Sequence, residues 1–326
     1  MRKILALMFA VAACGPPDDT DAQPDTDTGP DPYDGEPVAL ATTALGGAAM
    51  FGGGGLVVAD GFVVWSDARG DILRVPIDGG EVTTVVAGQG NVFAVTVSAE
   101  RIWWTSMAGG LLSTDFDGAE VVEHGGISGP NALAATDEGV VTTAMAGGVY
   151  AVSARSAPEL ISRDDPWSAG VAVAGGDIYW ANQGEFPDWE GPIWKLADGE
   201  SPRVAFAEAQ SSPTGVAVHA GYVWWTNRGT TSTPGNLSRA PLAGGAVEVV
   251  AAEQAGAAGI AAGGDYVCWT NESMDDVPSG AVRCAPVAGG DPVEIATGDT
   301  VASAVACDEE AVYWGDGTNL WRSVLP

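Results

Sequence analysis

The sequence predicts an all-β protein: a seven-bladed β-propeller in which an N-terminal strand completes the last blade. Three observations carry that expectation. A two-residue anchor recurs at Val64-Trp65, Trp103-Trp104, Val141-Thr142, Tyr179-Trp180, Trp224-Trp225, Cys268-Trp269 and Tyr313-Trp314, with gaps of 39, 38, 38, 45, 44 and 45 residues. A period of about 40 residues holding four short strands is the propeller pattern. The anchor strands Phe62-Val63-Val64-Trp65 and Tyr222-Val223-Trp224-Trp225 are continuous apolar runs, as strands buried on both faces must be. Glycine-rich turns, such as Gly263-Gly264-Asp265 and Gly289-Gly290, punctuate each unit. Beyond the first residues, no stretch keeps an apolar 3.6-residue period between helix caps.

Taken in order, Met1 to Cys14 reads as a lipoprotein signal peptide. Arg2 and Lys3 precede the apolar run Ile4 to Ala13, too short to cross about 30 Å of hydrocarbon. The run ends Val11-Ala12-Ala13-Cys14, a bacterial lipobox pattern, so Cys14 is the expected lipidation site and the membrane a partner through that lipid. Gly15, in place of an aspartate, points to the outer membrane of the cell envelope. Residues 15–36 are rich in Pro and Asp and nearly free of large apolar side chains. They cannot bury enough surface to offset ordering entropy, so a disordered acidic tether is expected.

Residues 37–326 form the expected propeller. Its seventh unit runs through Val301–Val305, Ala311–Trp314 and Asn319–Val324 and then lacks a fourth strand, while a spare strand lies at Pro37–Leu45. Pairing Val38–Thr42 with Asn319–Val324 would close the ring and remove an exposed edge.

Charge narrows the partners. The net charge is −30, from 43 acidic against 13 basic residues, and such a field repels phosphate backbones. Nucleic acid is not an expected partner. The bland reading of this charge is a solvated acidic surface; steering of a cationic partner is the sharper one.

The repeats resemble the Tyr-Trp-Thr-Asp repeats of low-density-lipoprotein-receptor class B propellers. Val64-Trp65-Ser66-Asp67, Trp224-Trp225-Thr226-Asn227 and Tyr313-Trp314-Gly315-Asp316 carry the likeness, as do the turns Arg74 to Gly80 and Arg239 to Gly245. The resemblance spans residues 37–326 and implies a propeller fold, not a ligand. Those propellers have six blades where seven units are counted here. The motif aspartate remains only at Asp67 and Asp316, with Asn182, Asn227 and Asn271 elsewhere, and Thr142 replaces the blade-three tryptophan. A seven-bladed bacterial antibiotic lyase is similar at the level of fold.

Four cysteines occur. In blade one, Asp67 and Asp71 flank a three-residue turn, which sets Val64 opposite Arg74; the equivalent positions in blade six are Cys268 and Cys284. Direct opposition puts their Cα atoms about 5 Å apart, so a disulfide is expected. Cys307 reads as a buried small hydrophobe. No Cys-x-x-Cys or paired-histidine spacing supports a metal, and no cofactor motif is present. Asp275-Asp276 is a weak calcium candidate without the spaced-aspartate pattern, and Gly52 to Gly55 precedes no helix. His124 and His219, the two histidines, stand in no nucleophile motif.

Loop length gives the better lead. Trp65 to Gly79 and Trp104 to Gly118 span 14 residues, whereas Trp180 to Gly199 and Trp225 to Gly244 span 19, and Trp269 to Gly289 spans 20. The extra residues fall between second and third strands, in Asn182–Gly191, Arg228–Gly235 and Glu272–Gly280, on the face where propeller ligands bind. Phe186, Asp188 and Trp189, with Trp167 on the preceding connector, are the candidate ligand-binding residues; the alternative is that Phe186 and Trp189 pack on their own blade. The other tryptophans, at blade period, are core. Three readings follow: a non-enzymatic module binding protein or glycan, which the sequence favours; a lyase or lactonase-like enzyme at the channel mouth; and a structural envelope protein.

Overall fold

The computed structural model describes residues 36–42, 55–107, 110–163, 165–198, 200, 202–230, 232–272, 280–298 and 304–326. Cys14, residues 15–35 of the tether, Gly52–Gly54 and Asp275-Asp276 lie outside the described residues. Within them, 28 strands make seven four-stranded antiparallel sheets. Six sheets use consecutive strands. The seventh runs Val305–Cys307, Ala311–Gly315, Leu320–Val324 and then Val38–Ala41. Val38 faces Arg322, Ala39 faces Trp321 and Ala41 faces Leu320. The chain is therefore a seven-bladed β-propeller whose first strand completes its last blade, as the repeats predict.

The doubled anchor has a simple cause. Successive side chains on a strand point to opposite faces, so each anchor residue fills a different layer between blades. Trp103 packs with Val140 and Val152 of blade three, while Trp104 packs with Val64 and Ile72 of blade one. Trp224 likewise joins Val267 and Trp269 of blade six, and Trp225 joins Tyr179 and Ile193 of blade four. All four indoles are fully buried. The core is thus seven inter-blade layers, each shared by two sheets. The layer between blades seven and one holds Leu40, Tyr313 and Leu320 against Leu56, Val63 and Trp65.

Hydroxyls near the channel tie blades directly. Thr105 Oγ1 accepts from the Ala94 amide at 3.1 Å and donates to the Asn131 carbonyl of the next blade at 2.8 Å. Thr226 Oγ1 does the same between Gly215, at 2.9 Å, and Ala258 of blade six, at 2.6 Å. One hydroxyl so satisfies two buried backbone groups from two blades.

A second cross-strand position links the second and third strands of each blade. Val64 faces Arg74, Tyr179 faces Lys195, Trp224 faces Arg239 and Tyr313 faces Arg322. In three of these pairs the cation lies over its aromatic neighbour: Lys195 over Tyr179 at 5.3 Å, Arg239 over Trp224 at 4.9 Å and Arg322 over Tyr313 at 5.9 Å. In blade six the same register places Cys268 against Cys284, with Cα atoms 4.0 Å apart and the sulfurs bonded. Cys307 is partly exposed as a residue and packs against the layer that holds that disulfide; burial of its thiol, and then Asp308, hold its pKa far above the ordinary value.

Two length differences resolve differently in space. Blade four keeps a loop, between Asp177–Asn182 and Glu190–Leu196. Blade five does not: its strands lengthen to Tyr222–Gly229 and Pro234–Pro241, so Gly229 pairs with Pro234 and the Thr230 amide donates to Thr233 at 2.8 Å. The expected loop over Arg228–Gly235 is therefore mostly hairpin, because its residues pair with each other. Residues 273–279 of blade six lie outside the described residues.

Candidate functional site

The innermost strands run away from the blade connectors, so connectors and second-to-third-strand loops share one face, here the upper face. At blade four that face carries the connector before Ser168–Ala174 and the loop 183–189. Two glycines shape the loop. Gly184 sits at φ +81°, and a side chain there would collide with the Glu190 carbonyl; one at Gly191 would collide with the Asn182 carbonyl. The Trp189 amide donates to the Glu185 carbonyl at 2.9 Å, which closes residues 185–189 into one compact turn. Outward of it, the Trp189 carbonyl accepts from the Ser212 amide at 2.7 Å.

This frame brings Trp167 and Trp189 together. Their ring centroids lie 5.5 Å apart with planes at 83°, an edge-to-face corner. Both residues occupy left-handed backbone, φ 66° for Trp167 and 48° for Trp189, a conformation that bulky side chains avoid and that costs about 1–3 kcal/mol. Trp167 remains 41% exposed and Phe186 80% exposed, so both present ring surface to solvent. Trp189 is half-buried, and Asp188 stands exposed between the aromatics on the turn.

Beneath the corner lies a polar knot built from three segments. Asp165, almost fully buried, accepts from Trp180 Nε1 at 3.1 Å, Asn182 Nδ2 at 3.3 Å and Arg203 Nη2 at 3.1 Å. Arg203 also lies over the Trp194 ring at 4.5 Å. Burial pushes the Asp165 carboxyl above the ordinary range, opposed by Arg203 and then by the Trp180 and Asn182 donors. Asn182 Nδ2 reaches the Pro166 carbonyl at 2.9 Å while its Oδ1 accepts from the Gly184 amide at 2.9 Å. The knot thus holds connector and loop in one register under Trp167 and Trp189.

Sequence reasoning did not single out Asp165, yet a signal was there. Gln210 and Gln254 accept from Trp225 and Trp269 as Asp165 does from Trp180, each acceptor 15 residues before its indole. Asp165 holds Arg203 as an ion pair at 3.1 Å, whereas Arg283 Nη1 reaches Gln254 Oε1 only at 3.5 Å. The asparagines at the motif aspartate position follow the same logic. Asp67 and Asp316 act only as acceptors, Asp67 for the Asp71 amide and Arg69 Nε and Asp316 for the Asn319 amide and Trp321 Nε1. An amide side chain adds a donor, and Asn182, Asn227 and Asn271 each aim it at a connector or its acceptor.

The histidines are engaged elsewhere. His219 Nε2 meets the Gly264 carbonyl at 2.8 Å on the lower face. His124 stacks on Trp103 at 4.7 Å and its Nε2 lies 2.9 Å from Ser113 Oγ, which accepts from Arg101 Nε at 3.0 Å. This serine–histidine contact, unseen in the sequence because it crosses to an outer strand of three residues, is sealed: Ser113 is fully buried and His124 is 6% exposed. Burial, and then Arg101, lower the His124 pKa. Among the described residues no group of three His, Cys, Asp or Glu converges as metal ligands would. A polar cleft of about 600 Å³, lined by Glu100, Arg101, Asp115, Glu138 and Arg155, opens on the lower face, away from the aromatic corner.

No protein-family model matches the chain, and no curated protein does. Solved structures are similar in fold. An oligogalacturonate lyase in complex with manganese superposes with a TM-score of 0.65 at 10% identity, covering 91% of this chain and 94% of its own. An oligogalacturonate lyase from Vibrio parahaemolyticus gives 0.65 at 9% identity, over 89% and 93%. A chain of the mitotic checkpoint complex gives 0.65 at 12% identity, over 99% of both. At such identities the likeness is one of fold alone, and fold does not carry function.

Proposed function

We propose that this chain is a non-enzymatic binding module, displayed at the cell envelope through a lipid on Cys14, which engages a protein or glycan with the upper rim of blade four. One observation carries the reading: Trp167 on the connector meets Trp189 of the hydrogen-bonded 185–189 turn edge to face, both in strained backbone, with Phe186 of that turn exposed beside them. Strain kept at an exposed aromatic cluster is what a binding surface requires and a packing surface does not. A lyase reading draws on the fold of the oligogalacturonate lyases. It needs a base at the channel mouth, and both histidines are committed to other contacts.

The test is binding by the full chain to a glycan array and to purified envelope proteins, repeated with Trp189→Ala and Phe186→Ala. Each substitution should weaken the interaction about ten-fold, the order expected of a central aromatic contact. Unchanged binding by both variants would remove the rim from the function. Cys14→Ser should abolish incorporation of an alkyne-tagged fatty acid in the producing cell.

A further inference from the structure

We propose that the partner of this rim is a basic polypeptide segment, whose arginine or lysine side chains enter the corner between Trp167 and Trp189. The inference rests on the binding reading above and narrows it to one chemistry.

Corner geometry is the first argument. A pyranose ring lies flat on one exposed aromatic face. Two indoles at 83° with centroids 5.5 Å apart instead offer part of two π faces to one point, the arrangement that a cation exploits. A planar guanidinium can stack on one ring and still present its edge donors to a carboxylate.

Charge is the second. Glu185, Asp188 and Glu190 are all exposed and bracket Phe186 and Trp189 within six residues. None of the three makes an ion pair among the described residues. The 185–189 turn keeps them within one hydrogen-bonded loop of the rings. The cations on adjoining upper-face segments are spoken for: Arg203 pairs with buried Asp165 at 3.1 Å and Arg228 with Glu272 at 2.9 Å. Arg163, on the connector, is exposed and makes no ion pair among the described residues. Around this stands a chain of net charge −30, which draws cations in and turns polyanions away. An anionic sugar polymer is therefore the wrong partner for this rim, whatever the lyase folds bind.

Phe186 decides between a peptide and a cationic sugar. At 80% exposed it extends the corner into an apolar shelf, suited to the stems and neighbouring side chains of a basic peptide rather than to the polar rim of an amino sugar.

The experiment is calorimetric titration of the full chain with a capped tetra-arginine peptide, a glucosamine tetramer and cellotetraose, at 50 and 300 mM salt. Variants are Trp189→Ala, Phe186→Ala and the triple Glu185→Gln/Asp188→Asn/Glu190→Gln; the last two alter exposed side chains only and should melt with the parent. Tetra-arginine should bind, lose about ten-fold in each variant and weaken at the higher salt. Tetra-arginine binding that no variant changes would assign it to bulk acidity and overturn the proposal. Trp189-dependent binding of either sugar without the peptide would also overturn it, yet leave the rim as a binding surface. Binding of no probe would overturn the cationic chemistry, and the array experiment would then judge the rim by itself.

Discussion

Closure of the ring by its first strand makes a quantitative prediction at Leu40. That side chain is 9% exposed and packs with Tyr313 and Leu320 of blade seven and with Leu56, Val63 and Trp65 of blade one. Leu40→Ala deletes about three methylene equivalents at about 0.8 kcal/mol each, and an unrelaxed cavity raises the loss to about 3 kcal/mol. For a chain of this size that corresponds to a fall in Tm of about 6 °C. Calorimetry reads the melting, and hydrogen exchange followed by mass spectrometry reads where protection is lost. Amides of Leu320–Val324, which pair with Val38–Ala41, should exchange faster in the variant, while those of blade four should not. Val293→Ala, at a 42% exposed site on the outer strand of blade six, serves as control and should change stability by less than about 0.5 kcal/mol. A Leu40→Ala protein that melts within about 1 °C of the parent, with unaltered exchange in blade seven, would show that the first strand does not lock the ring.

Two further predictions test buried chemistry. His124 has a pKa lowered below its unfolded value near 6.5, so the unfolded chain binds its proton first and stability falls as pH drops below about 6.5; the Tm of the parent should decline more steeply from pH 7 to pH 5 than that of His124→Gln, and parallel profiles would refute the assignment. The Cys268–Cys284 bond closes a sequence separation of 16, so the double alanine variant should lose about 3 kcal/mol and reductant should lower the parent Tm but not the variant's; equal response to reductant would count against the bond.

Much of this architecture is written locally. The doubled anchors revealed blade number because an inner strand must be apolar on both faces, and that demand leaves a continuous run. The opposition of Cys268 and Cys284 followed from blade one, whose short hairpin fixes its register, carried over to the equivalent positions of blade six. What stayed hidden depends on residues far apart in the chain. Asp165 gains its meaning from Arg203, which lies 38 residues away, and Ser113 meets His124 across a strand too short and polar to announce its partner. Phe186, Trp189 and Trp167 could be named from loop length, but their perpendicular corner depends on left-handed backbone that no residue type at 167 or 189 advertises.

The seam in blade seven has a topological consequence. In blade one the third and outer strands, Ile72–Pro76 and Thr83–Val86, are joined by a tight lower turn, and the corresponding junction in blade seven would run from Val324 to Val38. There Val38 already sits opposite Arg322 in the paired sheet. The backbone is in effect a circle nicked at one of seven equivalent corners. Splicing that corner with a short linker and opening another should return the same body with a new starting residue.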